Sequence, residues 1–333
     1  MSFNNLKDEG VSAVCEAIQS NKETKLSSLN FGHNGVGPVE ANAVAAMVAA
    51  TGSLTSLDVR SNDIVGDGAA KLSAAVFGNL KIEMFNEIPI KEMRANSITE
   101  LDLKGMGIGV EGGLVVAGLL PVMGSLTTIN LSGNQLCGVW TDRYGDLRGD
   151  YTAEGITAIA DALLVNGSLT SLSLAMNELG DDGAEALSIG LKENKSLTTL
   201  DLSGRGFGEG RIGPRGATAL ASAISVNGSL KVTNLLRNQL DAESAKMLAE
   251  VAKQKGISLC GIQRNQTTAV LSRQGLKPPD AILLASDLSQ AGVTGSLTKM
   301  RYVTPELEPL GSDWTQRSKR DCLCTSLASS ALV

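Results

Sequence analysis

Leu169-Thr-Ser-Leu-Ser-Leu-Ala-Met-Asn-Glu-Leu179 decides the fold, because the same pattern returns along the whole chain. Its frame is Leu-x-x-Leu-x-Leu-x-x-Asn-x-Leu, and a near copy runs from Leu126 to Leu136 as LTTINLSGNQL. Degenerate copies open at Leu26, Leu54, Ile98, Leu197, Leu230 and Ile257, giving eight openings in all. The steps between them are 28, 44, 28, 43, 28, 33 and 27 residues, so 28 is the unit and the longer steps carry insertions. A fixed period of this length marks a solenoid, in which each unit buries its apolar face only against its neighbours.

Within a unit, Leu172 and Leu174 alternate with Ser171, Ser173 and Ala175, which is the period-two pattern of a strand. After the Asn comes helical spacing: Ile156, Ile159, Ala160, Leu163 and Leu164 share one face, and Ala217, Leu220, Ala221 and Ile224 repeat the stripe. Val11, Val14, Cys15 and Ile18 do the same near the start. The fold class expected is α/β: a right-handed solenoid (horseshoe) with parallel strands on the concave face and helices on the convex face.

On these motifs, residues 4–265 resemble the leucine-rich repeats of the ribonuclease-inhibitor type. The similarity among the repeats also resembles that in leucine-rich repeat proteins of unicellular algae and other protists. The resemblance implies that Asn34, Asn62, Asn134, Asn177, Asn238 and Asn265 bond neighbouring backbone as an internal ladder. Met106 and Arg205 replace the Asn in two repeats, where the ladder should break.

The expected organisation is a solenoid over 1–265, made of a partial first repeat plus eight strand-helix units. Insertions are expected at 77–97, 137–151 and 205–215, followed by an irregular C-terminal cap at 266–304 and a flexible tail at 305–333. Ala281 to Leu288 is a candidate capping helix. Phe3 to Gly10 aligns with Met176 to Gly183, so the chain opens in mid-repeat. The first strand, around Leu26 to Phe31, then has an uncovered edge open to self-association. A fragment, with Met1 not the original start, gives the same pattern.

Composition narrows the function classes. With 43% hydrophobic residues over 333, the chain can build a substantial core. A net charge of −6 and the lack of a basic face argue against nucleic acid, and no apolar run reaches membrane-spanning length. Scattered cysteines, with Cys15 and Cys260 at core positions, suggest a reducing, cytoplasmic setting. Asn-x-Ser/Thr matches occur at Asn166, Asn194, Asn227 and Asn265. They read as coincidental to the repeat, although the first three loops would be glycan sites in a secreted protein.

Catalytic chemistry is poorly supplied. His33 is the only histidine, and its repeat offers no distinctive nucleophile. Cys322 and Cys324 lack a second pair at metal-ligand spacing. Gly107-Ile-Gly109-Val-Glu-Gly112 matches a dinucleotide-binding fingerprint, but no acidic residue follows between Glu111 and Asp142. No cofactor, metal or enzymatic activity is expected.

Binding surfaces remain. The concave face should show small polar and mildly acidic side chains such as Ser28, Asn30, Asp58, Asp102, Thr128, Ser173 and Asp201. The 137–151 insertion gathers Trp140, Tyr144 and Tyr151 around Arg143 and Arg148, and the 205–215 insertion brings Arg205, Arg211 and Arg215. Trp, Tyr and Arg dominate interface hot spots. These eight residues are therefore the candidate site for a protein partner, with the two loops leaving one edge of the solenoid and flanking a single site. An alternative follows from the resemblance, since some repeat proteins of this type activate small GTPases. The arm of an innate immune receptor is not expected, because no nucleotide-binding domain precedes the repeats.

Overall fold

The computed structural model describes residues 1–4, 6–21, 23–141, 147–205, 210–271 and 274–301. Strand and helix alternate: α1 (Lys7–Ser20), β1 (Ser28–Asn30), α2 (Pro38–Ala50), β2 (Ser56–Asp58), α3 (Gly66–Gly78), β3 (Met84–Phe85), α4 (Ile90–Arg94), β4 (Glu100–Asp102), α5 (Gly109–Leu119) and β5 (Thr128–Asn130). A hairpin of β6 (Val139–Thr141) and β7 (Leu147–Gly149) precedes α6 (Glu154–Val165). Then follow β8 (Ser171–Ser173), α7 (Gly180–Glu193), β9 (Thr199–Asp201), α8 (Pro214–Val226), β10 (Val232–Asn234) and α9 (Ala242–Lys255). The last elements are β11 (Thr268–Val270), α10 (Pro278–Leu288), α11 (Ala291–Thr294) and β12 (Lys299–Arg301).

The repeat strands pair in parallel and in register, Ser28 with Ser56 and Thr128 with Ser171, for example. The middle residue of most of them, including Leu29, Leu57, Phe85, Leu101, Ile129, Leu172 and Leu200, points into the core. Consecutive helices pack side by side on the other face. Proline opens α2, α8 and α10, where its missing N–H costs no helical bond. Leu164, placed by its spacing on the buried stripe of α6, is instead exposed.

Side-chain amides lock the turns. Asn177 Oδ1 accepts the backbone N–H of Asn134 at 2.8 Å, while its Nδ2 donates to the carbonyls of Leu131 and Leu174. Asn62 bonds the Asn34 turn in the same way, and Asn238 reaches Leu202 and Leu235. Asn265 does not take this role and lies exposed in a turn. A second ladder runs along the opposite, helix-to-strand edge. Asn166, Asn194 and Asn227 end α6, α7 and α8 and are buried. Asn194 Nδ2 donates to Leu163 O at 2.8 Å and Asn166 O at 3.1 Å; Asn227 repeats the pair on Leu191 and Asn194. The Asn-x-Ser matches are thus structural, and their amides face inward, not toward a glycan.

Residues 77–97 are not an excursion from the array. β3 pairs with β2, Ser56 opposite Met84, a step of 28 residues, so the segment is a truncated repeat. It ends at once in a two-residue turn, with Asn86 and Glu87 both at positive φ, closed by Phe85 and Ile88 bonding each other. α4 has only five residues, and Arg94 donates to the last carbonyls of α3, Val76 and Phe77. The sheet is therefore split among the described residues, into β1-β2-β3 and β4-β5-β8-β9-β10, while α3 packs directly on α5.

The C-terminal segment, expected to be irregular, is repeat-like over its described residues. β11 and β12 pair in parallel, and α10 lies on α9 as the next convex helix. Asp280 and Asp287, two turns apart on α10, fasten it. Asp280 accepts from Arg237 N, and Asp287 accepts from Ser258 Oγ at 2.6 Å and from the backbone N–H groups of Leu259 and Cys260.

Candidate interaction surface at the strand-to-helix edge

The hairpin stands at the edge where strands lead into helices. Trp140 pairs across it with Arg148, and Val139 with Gly149. Its base is glycine-specific. Gly138 and Gly149 sit at φ +72 and +85, and a Cβ on either would fall within 2.3 Å of a carbonyl oxygen of the opposite strand. Val139 and Cys137 turn into the core, which leaves Trp140, 38% exposed, and Arg148 on the outside. Arg143 and Tyr144 lie outside the described residues.

The aromatics of this loop part company. Trp140 leans toward the N-terminal repeats and lines a narrow crevice with Val65, Gly109, Glu111 and Gln135. Tyr151 leans the other way: its hydroxyl donates to Leu179 O at 2.5 Å and accepts from Gly183 N at 3.3 Å, closing the start of α7. Burial pushes the phenol pKa well above its ordinary value. Gly180, at φ +62, leaves room for that ring.

The second loop folds onto the same turn from the other side. Arg205 Nε lies 3.2 Å from Glu178 Oε1, and Glu178 is buried. Gly180 N donates to Gly210 O, and Asp181 Oδ1 accepts from Gly213 and Gly216, capping α8 from the neighbouring repeat. Arg211 is buried. Arg215 pairs with Asp182 and, at 3.1 Å, with Glu185, and the Asp182 hydrogen bond holds its guanidinium pKa above normal. Residues 178–185 thus bring together Tyr151, Arg205 and Arg215, with Arg211 lining the same small cavity as Glu178 and Leu179, and Trp140 is not among them. Sequence spacing placed the loops on one edge, but not the direction in which each side chain would lean.

The glycine fingerprint is spent on packing. Gly107 N donates to Asn134 Oδ1 and Gly109 N to Asn134 O, so these donors are turned inward. Glu111, beside them, has its carboxyl pKa pushed up to about 8 by burial, against a hydrogen bond from Asn86 Nδ2 at 3.0 Å. Sequence reasoning passed over both residues; a lone Glu in an otherwise uncharged helix was the available signal. On the concave face, burial opposes ionisation of Asp58, but hydrogen bonds from Arg60 hold its carboxyl below the ordinary range.

The leucine-rich repeat family model matches residues 1–15, 53–73 and 165–188, each falling on a repeat described above. The chain is a leucine-rich repeat protein. Among curated relatives, this repeat protein is 31% identical over 154 residues to human NACHT, LRR and PYD domains-containing protein 13, covering 42% of the chain and 14% of the relative. It is 26% identical over 335 residues to NACHT, LRR and PYD domains-containing protein 5 of Bos taurus, covering 75% of the chain and 30% of the relative. The chain thus spans less than a third of the length of either. Solved structures similar to it include leiomodin-1 actin-binding site 2 (TM-score 0.35, 17% identity, 61% of this chain and 87% of that one). The tropomodulin C-terminal domain of Caenorhabditis elegans is another (TM-score 0.33, 12% identity, 61% and 92%). Among the described residues, no helix is long and apolar enough to cross a membrane.

Proposed function

We propose that this repeat protein is a non-catalytic scaffold that binds a protein partner through the 137–151 hairpin and the adjoining concave face. The observation that carries this reading is the hairpin itself: a raised, glycine-based ribbon presenting Trp140 and Arg148 on its outer side. Rigid aromatic and arginine anchors are what hot spots use. Tyr151, Arg205 and Arg211 support the scaffold and Arg215 lies among carboxylates, whereas Trp140 is exposed on the hairpin, with Arg143, Tyr144 and Arg148 in the same loop. Replacing Trp140, Arg143 and Tyr144 with Ala should abolish capture of the partner from the native source. Circular dichroism and melting temperature should stay near wild type. Undiminished capture by the folded variant would sink the proposal.

Regulation of a small GTPase is less well supported. It needs a basic group free to approach a nucleotide, whereas Arg205 and Arg215 are drawn toward Glu178, Asp182 and Glu185 and Arg211 is buried. Stimulated GTP hydrolysis across a panel of purified GTPases would reverse this ranking. A reducing, cytoplasmic setting is favoured by Cys15, Cys137 and Cys260, which are buried as free thiols. Self-association would use β1, which ends its sheet. A mass that rises with concentration in light scattering, and falls when Ser28 is replaced by Pro, is the expected sign.

A further inference from the structure

The truncated repeat alters the convex face as well as the sheet. Among the described residues between α3 and α6, α5 is the only full-length helix, and it is unlike its neighbours. Its sequence, GVEGGLVVAGL, has one charged residue, Glu111, which is buried. An α-helix without a polar face belongs below the surface, and α5 is set back accordingly. Above it runs an open groove of about 440 Å3, lined by Ala70 of α3, Leu114 of α5, Ala153 just before α6, and Glu154, Ala158 and Asp161 along α6. Farther along the same seam Phe77 lies over Gly118, where a Cβ would fall 2.2 Å from the ring.

The exposed lining is mostly apolar and made of small side chains, with Thr152 and Thr157 adding hydroxyls, and the charge it carries is of one sign. Glu154 and Asp161 are exposed, and they are the only charged residues of α6. On α3 the nearest charges, Asp67 and Lys71, cancel as an ion pair at 2.6 Å. Glu154 and Asp161 are seven residues apart, two turns or about 10 Å along the helix.

We infer that this groove is a docking site for an amphipathic helix of a partner protein, bearing a ridge of Ala and Leu with Lys or Arg at i and i+7. Laid along α6, such a helix places its small residues over Leu114 and its cations against Glu154 and Asp161. Helix-in-groove recognition works through this division, apolar anchors for affinity and rim charges for orientation. The surface adjoins the foot of the hairpin at Thr152, but Trp140 takes no part in it.

The test uses the full chain and a labelled synthetic Ala/Leu helix of about five turns carrying Lys at i and i+7, with a Glu-for-Lys twin. Fluorescence anisotropy should show saturable binding of the Lys peptide that weakens with salt. Ala70→Arg, at an exposed position, should block it. The pair E154K/D161K, with folding checked by circular dichroism, should lose the Lys peptide by about tenfold or more and gain its Glu twin. Equal binding of the two peptides to wild type, no saturable binding of either, or full affinity in Ala70→Arg would each overturn the inference.

Discussion

Glu111 is the residue with the clearest energetic signature. Its folded pKa of about 8 lies above the ordinary carboxylate value of 4.5, so the native state holds the proton more tightly than the unfolded chain does. That contribution is complete below about pH 4.5 and is lost as pH rises through 8. The cost of raising pH across this window is on the order of 5 kcal/mol. Glu111→Gln should keep the Asn86 hydrogen bond and flatten the fall in melting temperature between pH 6 and pH 9; an unchanged slope would refute the assignment. Asn194 makes the complementary case. Asn194→Ala strands the carbonyls of Leu163 and Asn166 and should cost about 1–3 kcal/mol in denaturant unfolding. In a secretory host Asn194 should stay unglycosylated in folded material, read by peptide mass. The Asn-x-Ser-Leu run at 166, 194 and 227 was visible in the sequence, but its inward direction was not, because a glycosylation acceptor and a helix-ending Asn share the same letters.

Among the elements, the hairpin and α10 each hang on few atoms. Gly149→Ala puts a Cβ 2.2 Å from the carbonyl of Gly138 at a φ that also disfavours any side chain, a strain of roughly 1–3 kcal/mol. The hairpin should open, seen as altered Trp140 fluorescence and faster proteolysis between 137 and 151. Asp287→Ala removes acceptors from Ser258, Leu259 and Cys260 and should speed amide exchange at 258–262 before it affects the middle repeats. The strand and helix of each full repeat could be read from periodicity, because apolar spacing is the cause of both. β3 could not: Ile82 and Phe85 fit the frame, but Glu87 and Ile90 stand where Leu and Asn were needed. The tight Asn86-Glu87 turn then hides the strand inside what resembles an insertion. β11 and β12 escaped for a similar reason, since Gly295-Ser-Leu-Thr298 copies Gly52-Ser-Leu-Thr55 with no Asn behind it.

At the scale of the molecule, a solenoid's stability is a sum of repeats and of the contacts between neighbours. Those contacts are uneven here. Among the described residues, backbone pairing is continuous from β4 to β10 but interrupted between β3 and β4, where Asn86 and Glu111 and the α3–α5 contact carry the junction. Hydrogen exchange in mild denaturant should therefore release residues 28–85 as a group, separately from 100–234; one uniform exchange rate would count against it. The architecture was legible in sequence because its period is long and repeated. The candidate site was legible only as composition, since which way Trp140 and Tyr151 turn depends on repeats that neither residue belongs to.

The missing pairing between β3 and β4 also has a mechanical meaning. Pulled by its two ends, a stack of this kind transmits load from strand to strand. Where no strand-to-strand hydrogen bonds cross, side chains alone bear the tension, so the chain should lengthen first at that point and keep its longer C-terminal block intact under forces that have already parted the other.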